Sequence, residues 1–277
     1  MYKQSSKDRP LFLLMQGFLG IPISKYFPNY NPEHLKTKLA GYSKAFAEYY
    51  VFRLTQVLYS MRKQLGVFLE NESLEEKIEN RELETSILTE YFIVLLQVLM
   101  DQIAVFIPFF YSDMSKHKLL VPKKQGKCID CFKSFAQIRK IFLNNEEIDK
   151  ALSLHLKNNM SWFDDINKIR NSLIHGSGWL WFEYGYRSRN PKFKNVSGYI
   201  MKEEWFPSLR DFVTQSYYKF RTFLSFYESH FRSICQKEFS EFEYKEGPHW
   251  STPDSPFYKT MDYFYEEGKK LSSHRTS

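Results

Sequence analysis

Residues 162–176 read WFDDINKIRNSLIHG, and their apolar side chains recur at steps of three and four residues. This period predicts a helix over 160–175 with one core-facing row, made of Trp162, Ile166, Ile169 and Leu173. A second row on another face is polar and consists of Asp164, Asn167, Asn171 and His175. Gly176 suits the position just past a helix end, where a left-handed residue is favoured. The stretch therefore predicts a helix that packs on one side and offers polar groups on another.

The polar row carries a set of side chains with coherent chemistry. Asn171 and His175 are four residues apart and can touch. A histidine exchanges protons near neutral pH, and an arginine such as Arg170 binds phosphate oxygens in a bidentate manner. In a straight helix Arg170 and His175 lie about 140° apart, so they converge only if the helix bends or ends between them, or if a second copy supplies the partner. These groups suit metal-free RNA cleavage in which the 2′-hydroxyl is the nucleophile.

The same residues resemble the signature helix of the HEPN domains (higher eukaryotes and prokaryotes nucleotide-binding). That family's motif is an arginine, four to six residues and a histidine, with a polar residue directly after the arginine. Arg170, Asn171 and His175 match this pattern with four residues between the arginine and the histidine. Trp162 before the motif and Gly176 after it are also frequent family features.

The resemblance implies a metal-independent endoribonuclease that works as a homodimer on RNA, in a toxin or antiviral defence role, and that an antitoxin or other regulatory protein restrains. It also implies roles for residues: Arg170 grips the scissile phosphate, His175 is the general acid or base, and Asn171 orients one of them. An acidic residue from an earlier helix often faces the motif in this family, and Asp101 or Glu90 could fill that place. The alternative is a non-catalytic HEPN-like module that binds RNA, a nucleotide or a protein.

Composition favours a packed domain with an anionic partner. The chain has 277 residues, of which 43% are hydrophobic and 18% aromatic, and its formal net charge is +7. A basic surface favours polyanions such as RNA, although it also fits a merely soluble basic protein. Cys128 and Cys131 form one CxxC pair without a second pair at zinc-site spacing, so we expect neither a metal site nor a cofactor.

Two apolar stretches raise the question of a membrane. Residues 11–23 follow basic residues as in a signal peptide, but no cleavage-site pattern comes after them. Residues 91–110 have the length of a membrane span, yet Gln97, Asp101 and Pro108 lie inside. We therefore expect a buried core helix and a cytoplasmic protein, with a membrane-associated helical protein as the alternative.

The predicted organisation is an irregular arm over 1–32, a helical domain over 33–243 and a tail over 244–277 that lacks a packed fold of its own, although Phe257, Tyr263 and Phe264 could dock. The fold class is all-α: an up-and-down, HEPN-like bundle with a β-hairpin inserted at about 179–205. The predicted helices span 33 to about 70, the segment that ends near 108, 130–143, 146–157, 160–175 and 207–240. The hairpin and the long arm depart from the family pattern.

Two further sets of polar residues are candidates for the site. Glu90, Gln97 and Asp101 share one stripe, which is either the solvated edge of a central helix or the lining of a cleft. The basic loop over 112–127 and the predicted hairpin tip could contact an RNA backbone. The residues in question are Lys123, Lys124, Arg187, Arg189, Lys192 and Lys194, each of which also fits a plain solvated surface.

Overall fold

The computed structural model describes residues 41, 45, 48–66, 81–110, 134–175, 180–183, 192–196, 208–238 and 256–273. Most of these residues are helical, so the all-α class is confirmed. The predictions for the arm over 1–32, for the basic loop over 112–127 and for Cys128 and Cys131 lie outside the described residues.

The helices fall close to where the apolar period places them. In chain order they are α1 Thr55–Gln64, α2 Arg81–Phe106, α3 Phe135–Asn144, α4 Lys150–Asn158, α5 Ser161–His175, α6 Leu209–Glu238 and α7 Pro256–Ser273. A π-helical segment, Glu48–Leu54, leads into α1, and a 3-10 turn, Ile107–Phe110, follows α2. The ends of α3 to α6 agree with the predicted spans to within a few residues.

The first predicted helix ends earlier than expected. The apolar period continues to Phe68, but α1 stops at Gln64, and Gly66 has a φ of 72°. Glycine enters this left-handed region without the steric cost that a Cβ adds, and it commonly terminates helices for that reason. Gly66 therefore marks the end of α1.

Two short strands follow α5, in part at positions that differ from those predicted. β1, Leu180–Glu183, pairs with β2, Lys192–Val196, in an antiparallel ladder. The register pairs Glu183 with Lys192 and contains an irregularity between Trp181 and Phe182. Lys192 and Lys194, which were predicted for the basic tip, therefore lie in β2 itself.

The chain contacts divide the protein into two compact units. Unit 1 comprises Met1–Tyr49, Val98–Met160 and Phe223–His249, and unit 2 comprises Tyr50–Gln97, Ser161–Thr222 and Trp250–Ser277.

In unit 1, aromatic side chains from the second half of α6 pack on neighbouring helices. Phe223 meets Phe135 of α3 edge to face, with ring centroids 5.4 Å apart. The Tyr227 hydroxyl donates to the Ile103 carbonyl at 3.5 Å. The start of α3 is fixed by a capping box in which Ser134 and Gln137 satisfy each other's backbone N–H groups.

In unit 2, α5 and the first half of α6 share an apolar core. Trp162 of α5 contacts Phe220 of α6 with ring centroids 6.5 Å apart, and Phe92 of α2 meets Phe212 of α6 at 6.3 Å. These large rings bury much apolar area and so fix α5 on its core-facing side.

The tail differs from its prediction, because α7 packs in unit 2. Phe264 is fully buried and Met261 is 7% exposed. α7 lies against α1, where the Thr55 hydroxyl donates to the Met261 sulfur at 3.2 Å. Tyr263 accepts a hydrogen bond from Arg210 of α6. The proline at position 256 begins this helix, which is the position where proline is favoured.

By length and composition alone, one described helix segment, Leu83–Phe106, could cross a membrane, and 56% of its most apolar window is buried inside the protein. A soluble core helix meets the same criteria.

Candidate functional site

Helix α5 holds the motif residues, and its core face anchors it. Trp162, Ile166 and Ile169 are each no more than 3% exposed, whereas Leu173 is half-buried. The predicted core row is thus buried over its first three members. Asn171 is exposed on the other side of the helix, so the polar row reaches solvent near the end of α5.

Arg170 lies at the border between the buried and exposed faces. Its Nη1 donates to the Oδ1 of the neighbouring Asn171 at 3.0 Å. Its Nε is buried and lacks a hydrogen-bond partner among the described residues. A guanidinium has five N–H donors in a fixed plane, and a buried unpaired donor is costly. Because Nε is closed to solvent, an incoming acceptor such as a phosphate oxygen would have to meet the Nη groups.

The geometry of α5 bears directly on how the motif could assemble. The helix runs unbroken from Ser161 to His175, so a bend between Arg170 and His175 is not observed. On an ideal helix Asn171 lies about 100° from Arg170 and about 40° from His175. The Arg170–Asn171 hydrogen bond therefore turns the guanidinium toward the side of α5 that carries His175. It does not bring the two side chains together. The side chain of His175 lies outside the described residues.

Asp165 is a perturbed carboxyl on the same helix that the sequence did not single out. It is 8% exposed, and burial raises its pKa to about 6, with Asp164 adding to the rise. Lys168, whose Nζ is 3.6 Å from the carboxylate, acts in the opposite direction. Its position four residues before Ile169 places it about 40° from the core row, which was the available signal.

The two acidic candidates have different surroundings. Glu90, in unit 2, is half-buried, and burial raises its pKa more than the Ser86 hydrogen bond at 3.5 Å lowers it. Asp101, in unit 1, accepts from the backbone N–H of Phe135 at 2.9 Å and so caps the start of α3. Gln97 between them is buried, so their stripe is not a continuous solvated edge.

The basic candidates are placed only in part. Lys192 and Lys194 lie in β2, and β2 contacts α5, but their side chains are not among the described ones. Lys123, Lys124, Arg187 and Arg189 lie outside the described residues. Within the described ranges, no group of three or more His, Cys, Asp or Glu residues could hold a metal ion.

Unit 1 contains a histidine cluster that sequence reasoning missed. His230 Nε2 lies 2.6 Å from Asp149 Oδ2, and Asp149 Oδ1 also accepts from the Leu152 N–H and so caps α4. His155 stacks on Phe226 with ring centroids 3.7 Å apart. Burial, and to a lesser extent His230, lowers the pKa of His155. The residues come from positions up to 81 apart, so no local pattern predicts the cluster, which ties α4 to α6.

No protein-family model, no curated protein and no solved structure matches this chain. The chemistry that α5 itself can support consists of anion binding by Arg170 and proton exchange by His175.

Proposed function

We propose that this chain is a metal-independent endoribonuclease of HEPN type. The observation that carries the proposal is the Arg170 guanidinium, which Asn171 holds through Nη1 on the exposed side of α5. Such a group can bind the phosphate at which cleavage occurs and stabilise the negative charge that develops there. Asn171 is then a positioning residue for Arg170.

The proposed reaction needs no nucleophile from the protein. The 2′-oxygen of a ribose bonds to the adjacent phosphorus while the bond from phosphorus to the 5′-oxygen breaks. The products are a 2′,3′-cyclic phosphate and a 5′-hydroxyl. One base must accept the proton of the 2′-hydroxyl, and one acid must protonate the leaving 5′-oxygen. His175 carries one of these protons, and water can carry the other.

A homodimer would bring Arg170 and His175 together. Because α5 is unbroken, the angle of about 140° between these residues opposes a site built from one copy. Ile174, four residues after Arg170, is 48% exposed, which leaves apolar surface beside the motif. A second copy that covers Ile174 would complete the site with its own motif. The toxin or antiviral role and the regulatory protein rest on the resemblance alone, and the cytoplasmic location rests on the sequence of the two apolar stretches.

Cleavage of a labelled single-stranded RNA in EDTA tests the proposal. Wild-type protein is expected to cleave, whereas His175→Ala is expected to lose at least a hundredfold in rate, as for removal of a general acid or base. His155→Phe is the matched control, because it removes another imidazole and keeps an aromatic ring on Phe226. Equal cleavage by wild type and His175→Ala would reject the site. No cleavage by either folded dimer, with RNA binding retained, would favour the binding module.

A further inference from the structure

The first half of α2 exposes a row of large apolar side chains to solvent. Leu83, Ile87 and Tyr91 follow each other at intervals of four residues and are 63%, 55% and 40% exposed. They span about 80° of the helix surface, and we call this row the α2 seam. Deeper residues on α2, such as Phe92 and Leu96, are fully buried, so the seam is not needed to hold the helix in place.

Two glutamates border the α2 seam. On an ideal helix Glu90 lies about 20° outside one edge of the seam and Glu84 about 20° outside the other. Glu84 accepts from the Gln64 side chain at 2.6 Å, and Glu90 accepts from Ser86 at 3.5 Å. Within the described part of the chain neither carboxylate forms an ion pair. The surface is therefore acidic in a protein whose net charge is +7.

An apolar row with an acidic residue on each side resembles the arrangement by which helices select helical partners. The apolar side chains contribute burial, and the flanking charges decide which partner is accepted. A second α2 seam would bring only glutamates to both edges of the pair and no opposite charge, so pairing with another copy is disfavoured. An anionic membrane would meet the same repulsion.

We propose that the α2 seam is a docking surface for an amphipathic helix of a partner protein, whose own apolar row is flanked by lysine or arginine. The inference uses no residue of the α5 motif, although Glu90 is also a candidate to face that motif. Leu83 and Tyr91 are separated by about 12 Å along the helix axis, so two turns of the partner are engaged. An interface of that size gives reversible binding rather than a permanent complex.

A pair of designed helical peptides provides the test. Both peptides carry the same leucine row, flanked by lysines in one and by glutamates in the other, and each is titrated into the full chain with fluorescence anisotropy as readout. The lysine-flanked peptide is expected to bind about tenfold more tightly, because opposite charges meet at both edges. Ile87→Gln is expected to weaken that binding by about tenfold or more through lost apolar burial.

Two further variants make the test specific. The double variant Glu84→Lys, Glu90→Lys is expected to reverse the preference, so that the glutamate-flanked peptide binds more tightly. Leu154→Gln is the matched control, since Leu154 on α4 is 56% exposed and lies in unit 1. It should leave both affinities unchanged, and circular dichroism would establish that each variant keeps its helix content.

Other occupants of the seam give different results. If Ile87→Gln abolishes self-association in sedimentation experiments, the seam is an interface between copies. If the wild type binds anionic vesicles and Ile87→Gln does not, the seam faces a membrane. Either result, or peptide affinities that Ile87→Gln leaves unchanged, would overturn the inference. RNA cleavage by the wild type in EDTA tests the proposed ribonuclease separately.

Discussion

Asp165 is the carboxyl on α5 whose protonation depends most on folding. Burial raises its pKa to about 6 in the folded chain, against about 3.9 in an unfolded one. The folded state therefore holds the proton more tightly, and stability falls as pH rises from about 4 to about 6. We expect Asp165→Asn to remove this loss. Measured by urea unfolding, the difference in free energy of unfolding between the variant and the wild type should rise by roughly 2 kcal/mol in favour of the variant from pH 4 to pH 7.

The control at this scale is the neighbouring carboxyl. Asp164→Asn keeps the Asp165 carboxyl and removes only a minor contribution to its raised pKa, so most of the loss of stability between pH 4 and pH 6 should remain. If Asp165→Asn changes the free energy of unfolding by the same amount at pH 4 and at pH 7, the raised pKa of Asp165 would be contradicted. The residue spacing on α5 alone places Asp165 beside the core row. The cost of its burial depends on α6, which no local sequence pattern reveals.

At the scale of elements, the packing of α7 on α6 depends on one glycine. A Cβ at position 268 would collide with the Thr214 carbonyl oxygen and lie 2.5 Å from the Tyr218 Cβ. Alanine favours helices over glycine by about 1 kcal/mol, but a clash with backbone atoms costs about 1–3 kcal/mol. We therefore expect Gly268→Ala to lower the free energy of unfolding by about 1–2 kcal/mol in denaturant titrations, despite its better propensity.

Gly41 supplies the opposite case, because a Cβ there meets nothing within 4 Å. Gly41→Ala should be neutral or stabilise the protein by up to about 1 kcal/mol. If Gly268→Ala is as stable as Gly41→Ala, the two helices are not in close contact at this point. Hydrogen exchange of the α7 amides would locate the effect.

The helices also show which parts of the fold the sequence predicts. Apolar period predicts α5 and α6, because each buries one continuous face, whereas a long apolar run predicts α2 as a buried core helix. The sequence signal for α7 was present as well, since Thr260, Met261, Phe264 and Gly268 recur at steps of one, three and four residues and are buried. The Pro, Ser and Thr residues over 248–256 obscured it, although Pro256 starts the helix. Contacts such as Asp149 with His230 join distant positions and have no local signature.

At the scale of the whole molecule, the proposed site depends on whether one copy or two supply Arg170 and His175. If each site pairs Arg170 of one copy with His175 of the other, Arg170→Ala and His175→Ala homodimers both lack every site. Random exchange between them makes half of the dimers mixed, and each mixed dimer holds one intact site. Mixing is therefore expected to restore about a quarter of wild-type cleavage, measured on labelled RNA.

Dimer formation itself gives the control for this experiment. Ile174→Glu places a charge on the exposed apolar surface beside Arg170, so sedimentation should detect monomers and cleavage should fall with dimer content. Leu154→Glu changes a residue of similar exposure on α4 and should preserve both dimer and activity. A site built within one copy predicts the opposite pattern, because mixing the two inactive variants would restore nothing. Monomeric Ile174→Glu would then still cleave RNA, and Asn171 alone would have to bring the guanidinium to His175.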